Sequence, residues 1–186
     1  DDMGIGDVSH TTGLAPTPHI DRMAAEGMRF TDAHSSSAVC TPSRYSLLTG
    51  RYNWRTRLTA HVFSHPHCDP LIEPGEQTVA TLLKQNGYHT ACIGKWHLGI
   101  KWQTLDDFKP ADNRKLRSGW GIDLSKPALV APTSHGFDRF WGINSSLDMT
   151  PYLYIDNDKA LYSELVAKKG GRSGPMDVDF RFDEVL

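Results

Sequence analysis

Cys40, Arg44, Lys95 and His97 are the residues of this chain whose types and spacing suit catalysis. Cys40 opens the string Cys40-Thr41-Pro42-Ser43-Arg44, which runs on through Leu47-Leu48-Thr49-Gly50-Arg51. Pro42 suits a first helical position, because its missing N–H costs nothing there. Leu47 and Leu48 supply an apolar face and Gly50 a stop. The expectation is a short helix starting at Pro42, with Cys40 just ahead of its N-terminus. Unpaired backbone N–H groups and the positive end of the helix dipole then favour an anion such as sulfate or phosphate beside the cysteine. Arg44, within the first turn, adds a planar fork of donors suited to an oxyanion. Taken singly these residues are ordinary, since a lone cysteine is usually a small buried hydrophobe. The ordered Cys-x-Pro-Ser-Arg string arises by chance in roughly one chain in a thousand of this length.

Lys95 and His97 lie in Gly94-Lys95-Trp96-His97-Leu98-Gly99. The preceding Tyr88-His89-Thr90-Ala91-Cys92-Ile93 reads as a strand, and residues 77–86 before it as a helix stopped by Gly87. Open α/β sheets place their chemistry at the C-terminal ends of strands. On an extended chain, residues two apart face the same side. The pair offers a fixed cation and a group that moves protons near neutral pH.

Two further strings complete the pattern. The chain opens Asp1-Asp2-Met3-Gly4-Ile5-Gly6-Asp7, and paired carboxylates suit a hard divalent cation. Further on comes His135-Gly136-Phe137-Asp138-Arg139-Phe140-Trp141-Gly142-Ile143, followed by Asn144-Ser145-Ser146-Leu147-Asp148. Together these strings resemble the type I sulfatases. The resemblance implies an α/β, alkaline-phosphatase-like fold with a mixed, mostly parallel sheet flanked by helices. It also implies that Cys40 is converted to Cα-formylglycine by a separate formylglycine-generating enzyme. Hydrated to a gem-diol, that residue attacks sulfur and later expels sulfate. Asp1, Asp2 and residue 40 would hold a divalent cation, Ca²⁺ in this family. Arg44 and Lys95 would stabilise negative charge, and His97 would take a proton from the second hydroxyl. Lys95 and, by position, Ser146 match sulfate-pocket residues. His135 has two open readings, as a pocket residue or a structural one.

By the same resemblance, residues 1–186 are the N-terminal part of a single catalytic domain. The apolar strand that leads into the Asp-Asp pair is absent, and so are a downstream His, an Asp-Asn pair and a Lys. Such a fragment is expected to be poorly stable and inactive alone. The implied substrate is a sulfated carbohydrate or an aryl sulfate. The implied compartment is the periplasm, the exterior or a lysosome-like organelle. Three other readings remain at this point. One is a formylglycine-dependent phosphonate monoester or phosphodiester hydrolase. The others are a non-catalytic sulfated-glycan binding protein and an unrelated cysteine-nucleophile enzyme.

Composition narrows the partners. Charged residues make up 23% of the chain, hydrophobic residues 39%, and the net charge is −2. That balance argues against a nucleic-acid surface, and no apolar run is long enough to span a bilayer. Of the three cysteines, Cys92 reads as a buried strand thiol, and no disulfide follows from the count. His61, His65, His67 and Cys68 cluster in a Pro-containing loop without zinc spacing. Thr17-Pro18 reads as a capped helix start, with Ile20, Met23, Ala24 and Met28 on a core face. Residues 100–132 read as a long excursion over the active-site face. Asn157-Asp158 reads as a hairpin turn and residues 168–175 as a flexible loop. Trp54, His61, His67, Trp102 and Trp120 are suited either to stack on a sugar ring or to pack within the protein.

Overall fold

The strand that delivers Lys95 is β1 (Ala91–Lys95), and it pairs in parallel with β2 (Arg139–Ile143). This computed structural model describes residues 4, 6–12, 15–106, 108, 121–161, 165–168 and 174–177. β2 pairs antiparallel with β3 (Ile155–Asp156), which turns through Asn157-Asp158 into β4 (Lys159–Ala160). The sheet order is β1-β2-β3-β4, and β5 (Leu165–Lys168) with β6 (Gly174–Asp177) forms a separate antiparallel ribbon. The hairpin turn is the one expected. Asn157 takes the left-handed conformation, with φ 58°, that asparagine tolerates better than most side chains. Lys168, Gly174 and Pro175 lie in the ribbon strands, so the expected loop is shorter than residues 168–175.

Among the described residues four helices precede or flank this sheet. They are α1 (Ser9–Thr12), α2 (Pro18–Glu26), α3 (Cys40–Thr49) and α4 (Val79–Gln85). Thr78 and Thr81 form a reciprocal capping box at the start of α4, and Gly87 follows its end at φ 83°. The Thr78 hydroxyl also donates to the His135 carbonyl at 2.7 Å, joining α4 to the 3-10 turn Pro132–His135. Strand β1 begins three residues later than the sequence suggested. The reason is long-range: the Thr90 N–H donates to the Asp138 carboxylate, and the Thr90 hydroxyl donates to the Gly136 carbonyl and accepts from the Asp138 N–H. Lys84, 2.7 Å from Asp138, and the Thr90 amide hold that carboxyl down to about 2.

The core is built from Tyr45, Leu71, Ile72, Trp96, Leu98, Ile100, Phe140, Leu153 and Ile155. Two expectations are corrected here. Residues 100–106 and 121–132 are more than a surface excursion. They pair at Lys101↔Val130 and Thr104↔Ile122 and bury Trp102, Ile122, Leu124 and Ala131. The apolar side of α2 is not core among the described residues, for Met23 and Met28 are 73% and 77% exposed. Thr17 sits at the N-cap of α2 but makes no side-chain cap, because its oxygen accepts from the Ser9 N–H at 2.9 Å.

Candidate active site

Helix α3 begins at Cys40, with Val39 at the N-cap, so the cysteine is the first helical residue and not the one before the helix. Pro42 is then third, still within the first turn, where a missing N–H costs no helical bond. Gly50 ends the helix at φ 68°, as expected. Leu47 is exposed while Leu48 packs against the core, so only half of the expected apolar face is buried. Thr41, fully buried, accepts a hydrogen bond from the Phe63 N–H at 3.3 Å. Arg44 reaches across to the end of β1 and donates from Nη1 to the Lys95 carbonyl at 2.6 Å. Two segments 51 residues apart in sequence are thereby joined at one point.

Beyond Lys95 the chain is not extended. Trp96 and His97 continue the pairing by donating to the carbonyls of Ile143 and Asn144, at 3.0 and 2.7 Å. His97 then takes a left-handed conformation, with φ 57°, and is 1% exposed. The same-side relation to Lys95 expected of an extended chain therefore does not apply. His97 Nε2 lies 2.9 Å from the Phe63 carbonyl. A carbonyl only accepts, so Nε2 carries the proton and Nδ1 keeps its lone pair. Nδ1 is buried with no partner among the described residues. Burial first, then the positive charges of Lys95 and Arg44, push the His97 pKa down to about 4, while Asp148 works the other way. His97 is a neutral imidazole with a basic nitrogen to spare.

Ser146 is half-buried and starts the turn after Asn144, with the Met149 N–H on its carbonyl at 3.0 Å. Asp148, in the same turn, is the acid whose charge His97 feels. The structure thus brings together α3, the Phe63 loop, the end of β1 and the segment after β2. It does not bring His135 to that group. The His135 ring stacks on Trp96 at 5.9 Å, is 4% exposed, and is pushed down to about 4 by burial. Asp1 and Asp2 lie outside the described residues. Among the described residues no group of three or more His, Cys, Asp or Glu side chains could hold a metal ion. The histidines and the cysteine of residues 61–68 do not gather into one group: Cys68 lies 3.6 Å from His65, and His67 stacks on Phe108. Cys92 packs against the core, and burial pushes its thiol up. Two positioning residues, Thr41 and Phe63, were not singled out from sequence. Only the place of Thr41 inside the Cys40–Arg44 string pointed to it.

The buried histidines set a pH dependence. His97 and His135 titrate near 4 when folded and near 6.5 as ordinary histidines. Between those values the unfolded chain binds more protons, so stability is whole above pH 6.5 and falls as pH drops toward 4. Each histidine contributes about 3 kcal/mol of that loss at most. Denaturant midpoints measured across this range should fall steeply, and His135→Phe should roughly halve the slope. A flat profile would mean that neither ring is buried neutral.

Comparison with known proteins decides the family, because Sulfatase matches residues 1–175. The chain belongs to the sulfatase family. Over 158 residues it is 36% identical to the N-acetylgalactosamine-6-O-sulfatase of Bacteroides thetaiotaomicron, covering 84% of this chain and 27% of that sulfatase. It is 38% identical over 148 residues to the steryl-sulfatase of Mus musculus, covering 77% of this chain and 20% of the relative. One solved structure comes from work on the metabolism of multiple glycosaminoglycans by Bacteroides thetaiotaomicron. It is 36% identical with a TM-score of 0.69, over 87% of this chain and 30% of its own. The crystal structure of Ps i-CgsB in complex with k-i-k-neocarrahexaose is 27% identical with a TM-score of 0.54, over 78% and 27%. The chain therefore spans about a quarter of the length of these sulfatase relatives. Its mixed sheet of parallel and antiparallel strands with flanking helices is the α/β architecture expected of the family.

Proposed function

We propose that this protein hydrolyses sulfate esters, of a carbohydrate by preference, with residue 40 as the nucleophile position. The observation that carries the reading is the convergence of Arg44 on the Lys95 carbonyl, beside a neutral His97 whose Nδ1 has no partner among the described residues. Family membership and the names of the relatives support the reaction class. The carbohydrate preference leans on the N-acetylgalactosamine-6-O-sulfatase and on the neocarrahexaose bound by Ps i-CgsB. Residues 1–186 are taken as the N-terminal part of one catalytic domain.

The roles are those the family resemblance implies, and the placement of Arg44 and His97 supports them. Arg44 spends one guanidinium N–H on the Lys95 carbonyl, which fixes the fork and leaves its other donors for a sulfate oxygen. Lys95, at the strand end, adds a second positive charge. Ser146 lines the sulfate pocket. Nδ1 of His97 accepts a proton from a hydroxyl at residue 40, the neutral imidazole being the form present at pH 7. Converted to formylglycine, residue 40 supplies a hydroxyl to attack sulfur and an aldehyde through which sulfate is released. Asp1 and Asp2, with residue 40, would hold Ca²⁺, which neutralises sulfate charge; an all-oxygen aspartate pair suits that ion. A formylglycine-generating enzyme is the implied partner, and a periplasmic, extracellular or lysosome-like compartment the implied location. No helix among the described residues is long and apolar enough to cross a membrane.

The test pairs mass spectrometry of the Cys40 peptide with rate measurements. The protein is co-expressed with a formylglycine-generating enzyme and assayed on 4-nitrophenyl sulfate, the matching phosphonate monoester and a phosphodiester. An aldehyde mass and a clear preference for the sulfate ester are expected. An unmodified cysteine in an active protein would remove the nucleophile assignment, and a preference for phosphonate or phosphodiester would change the reaction class.

A further inference from the structure

A cleft of about 530 Å³ lies where the 61–68 loop meets residues 100–108 and 126–129. That volume is within the roughly 300–1,000 Å³ common to small-ligand sites. Ile100, which lines the cleft, is three residues from His97 of the candidate active site. At 3.8 Å per residue, those two backbone positions are within about 11 Å of each other. Three features of the lining bear on what fits.

The first is aromatic. His67 and Phe108 stack with ring centroids 5.0 Å apart and planes 12° from parallel, and both line the cleft. The second is an unused donor. Trp102 lines the same cleft, is 5% exposed, and its buried indole N–H finds no acceptor among the described residues. A buried donor without a partner is costly, so an acceptor brought by a ligand is well rewarded there. The third is charge balance. Among the described residues the lining lysines are Lys101 and Lys126, and the lining aspartates are Asp69 and Asp106. Lys101 is ion-paired with Asp69, and Lys126 with Asp123 at 2.9 Å. Among the described residues each lining cation has an acid beside it, and a sulfate or carboxylate entering the cleft would meet Asp106 and Asp69. Aromatic rings, an indole N–H and paired charges suit an uncharged ligand with C–H faces and many hydroxyls.

We infer that this cleft is a subsite for an uncharged pyranose residue, the unsulfated neighbour of the sugar whose ester is cleaved. This deepens the proposed carbohydrate reading and rests on it. The sugar's C–H face packs on the His67–Phe108 pair, a hydroxyl oxygen accepts from the Trp102 indole, and Asp106 accepts from another hydroxyl. The subsite makes the protein select an oligosaccharide over a lone sulfated sugar.

The test is binding, read apart from catalysis. Saturation-transfer NMR on the intact protein is run with lactose, cellobiose and N,N′-diacetylchitobiose at millimolar concentration, and with inorganic sulfate as the competitor. At least one disaccharide is expected to bind saturably, and sulfate not to displace it. His67→Ala should weaken that binding about five- to tenfold through lost ring packing. Trp102→Phe should weaken it about two- to tenfold through the lost N–H. Neither residue belongs to the proposed catalytic group, so hydrolysis of 4-nitrophenyl sulfate should stay at the parent level in both variants. If Trp102→Phe does not fold, Phe108→Ala takes its place beside His67→Ala. Absence of binding by all three disaccharides overturns the subsite, as does binding that His67→Ala leaves unchanged. Displacement by sulfate overturns the uncharged assignment. If the disaccharides bind as expected but no aryl sulfate is hydrolysed, the catalytic reading falls and the cleft remains a sugar site.

Discussion

Cys40→Ala is expected to cut sulfate ester hydrolysis by about 10⁴-fold or more, the size of loss seen when a catalytic nucleophile is removed. The fold should be untouched, because Cys40 is half-buried at the first position of α3, where alanine is well tolerated. Cys40→Ser separates attack from release. A serine hydroxyl can still attack sulfur but lacks the aldehyde route by which sulfate departs. That variant should release at most one alcohol per protein from 4-nitrophenyl sulfate and retain a sulfate on residue 40, visible by mass spectrometry. Activity in Cys40→Ala within tenfold of the parent would place the nucleophile elsewhere.

Gly142→Ala should unfold the sheet that holds the site. Gly142 of β2 is in register with Gly94 of β1. A Cβ added at Gly142 would lie 1.8 Å from the Gly94 carbonyl oxygen and 2.6 Å from its carbon. Both are backbone atoms of a paired strand, so no rotamer change relieves the clash. The chain must open the β1–β2 pairing, and with it the strand end that presents Lys95 and the carbonyl that receives Arg44. The expected loss is at least about 4 kcal/mol, a large share of the 5–15 kcal/mol of a typical domain. Circular dichroism through a denaturant titration reads it directly. A midpoint within about 1 kcal/mol of the parent would show that β1 and β2 do not pair in this register.

Much of the site was legible because its signals are local. A cysteine, a proline and an arginine within five residues specify a helix start with donors aimed at one place. Gly50, Gly87 and Asn157 mark turns, since each sits where the backbone is left-handed. Extended-chain periodicity failed for Lys95 and His97, because the left-handed residue at 97 breaks the alternation on which that reasoning depends. The apolar spacing of α2 marked one face correctly as apolar, but spacing does not state what covers it. Among the described residues Met23 and Met28 remain exposed.

By itself, then, the sequence determined the residue types, the helix that carries Cys40 and Arg44, the strand that ends at Lys95, and the resemblance that predicted the family. Tertiary structure alone decided which groups meet. The Arg44 fork closes on a carbonyl 51 residues away, and the Phe63 carbonyl 34 residues from His97 fixes which imidazole nitrogen is basic. It also withdrew His135 into a stack on Trp96 and assembled a charge-balanced cleft from segments that no local pattern connects. The physical reason is one of range. Backbone conformation is set within a turn or two of sequence, whereas burial, tautomer and pKa depend on neighbours that only the folded chain supplies.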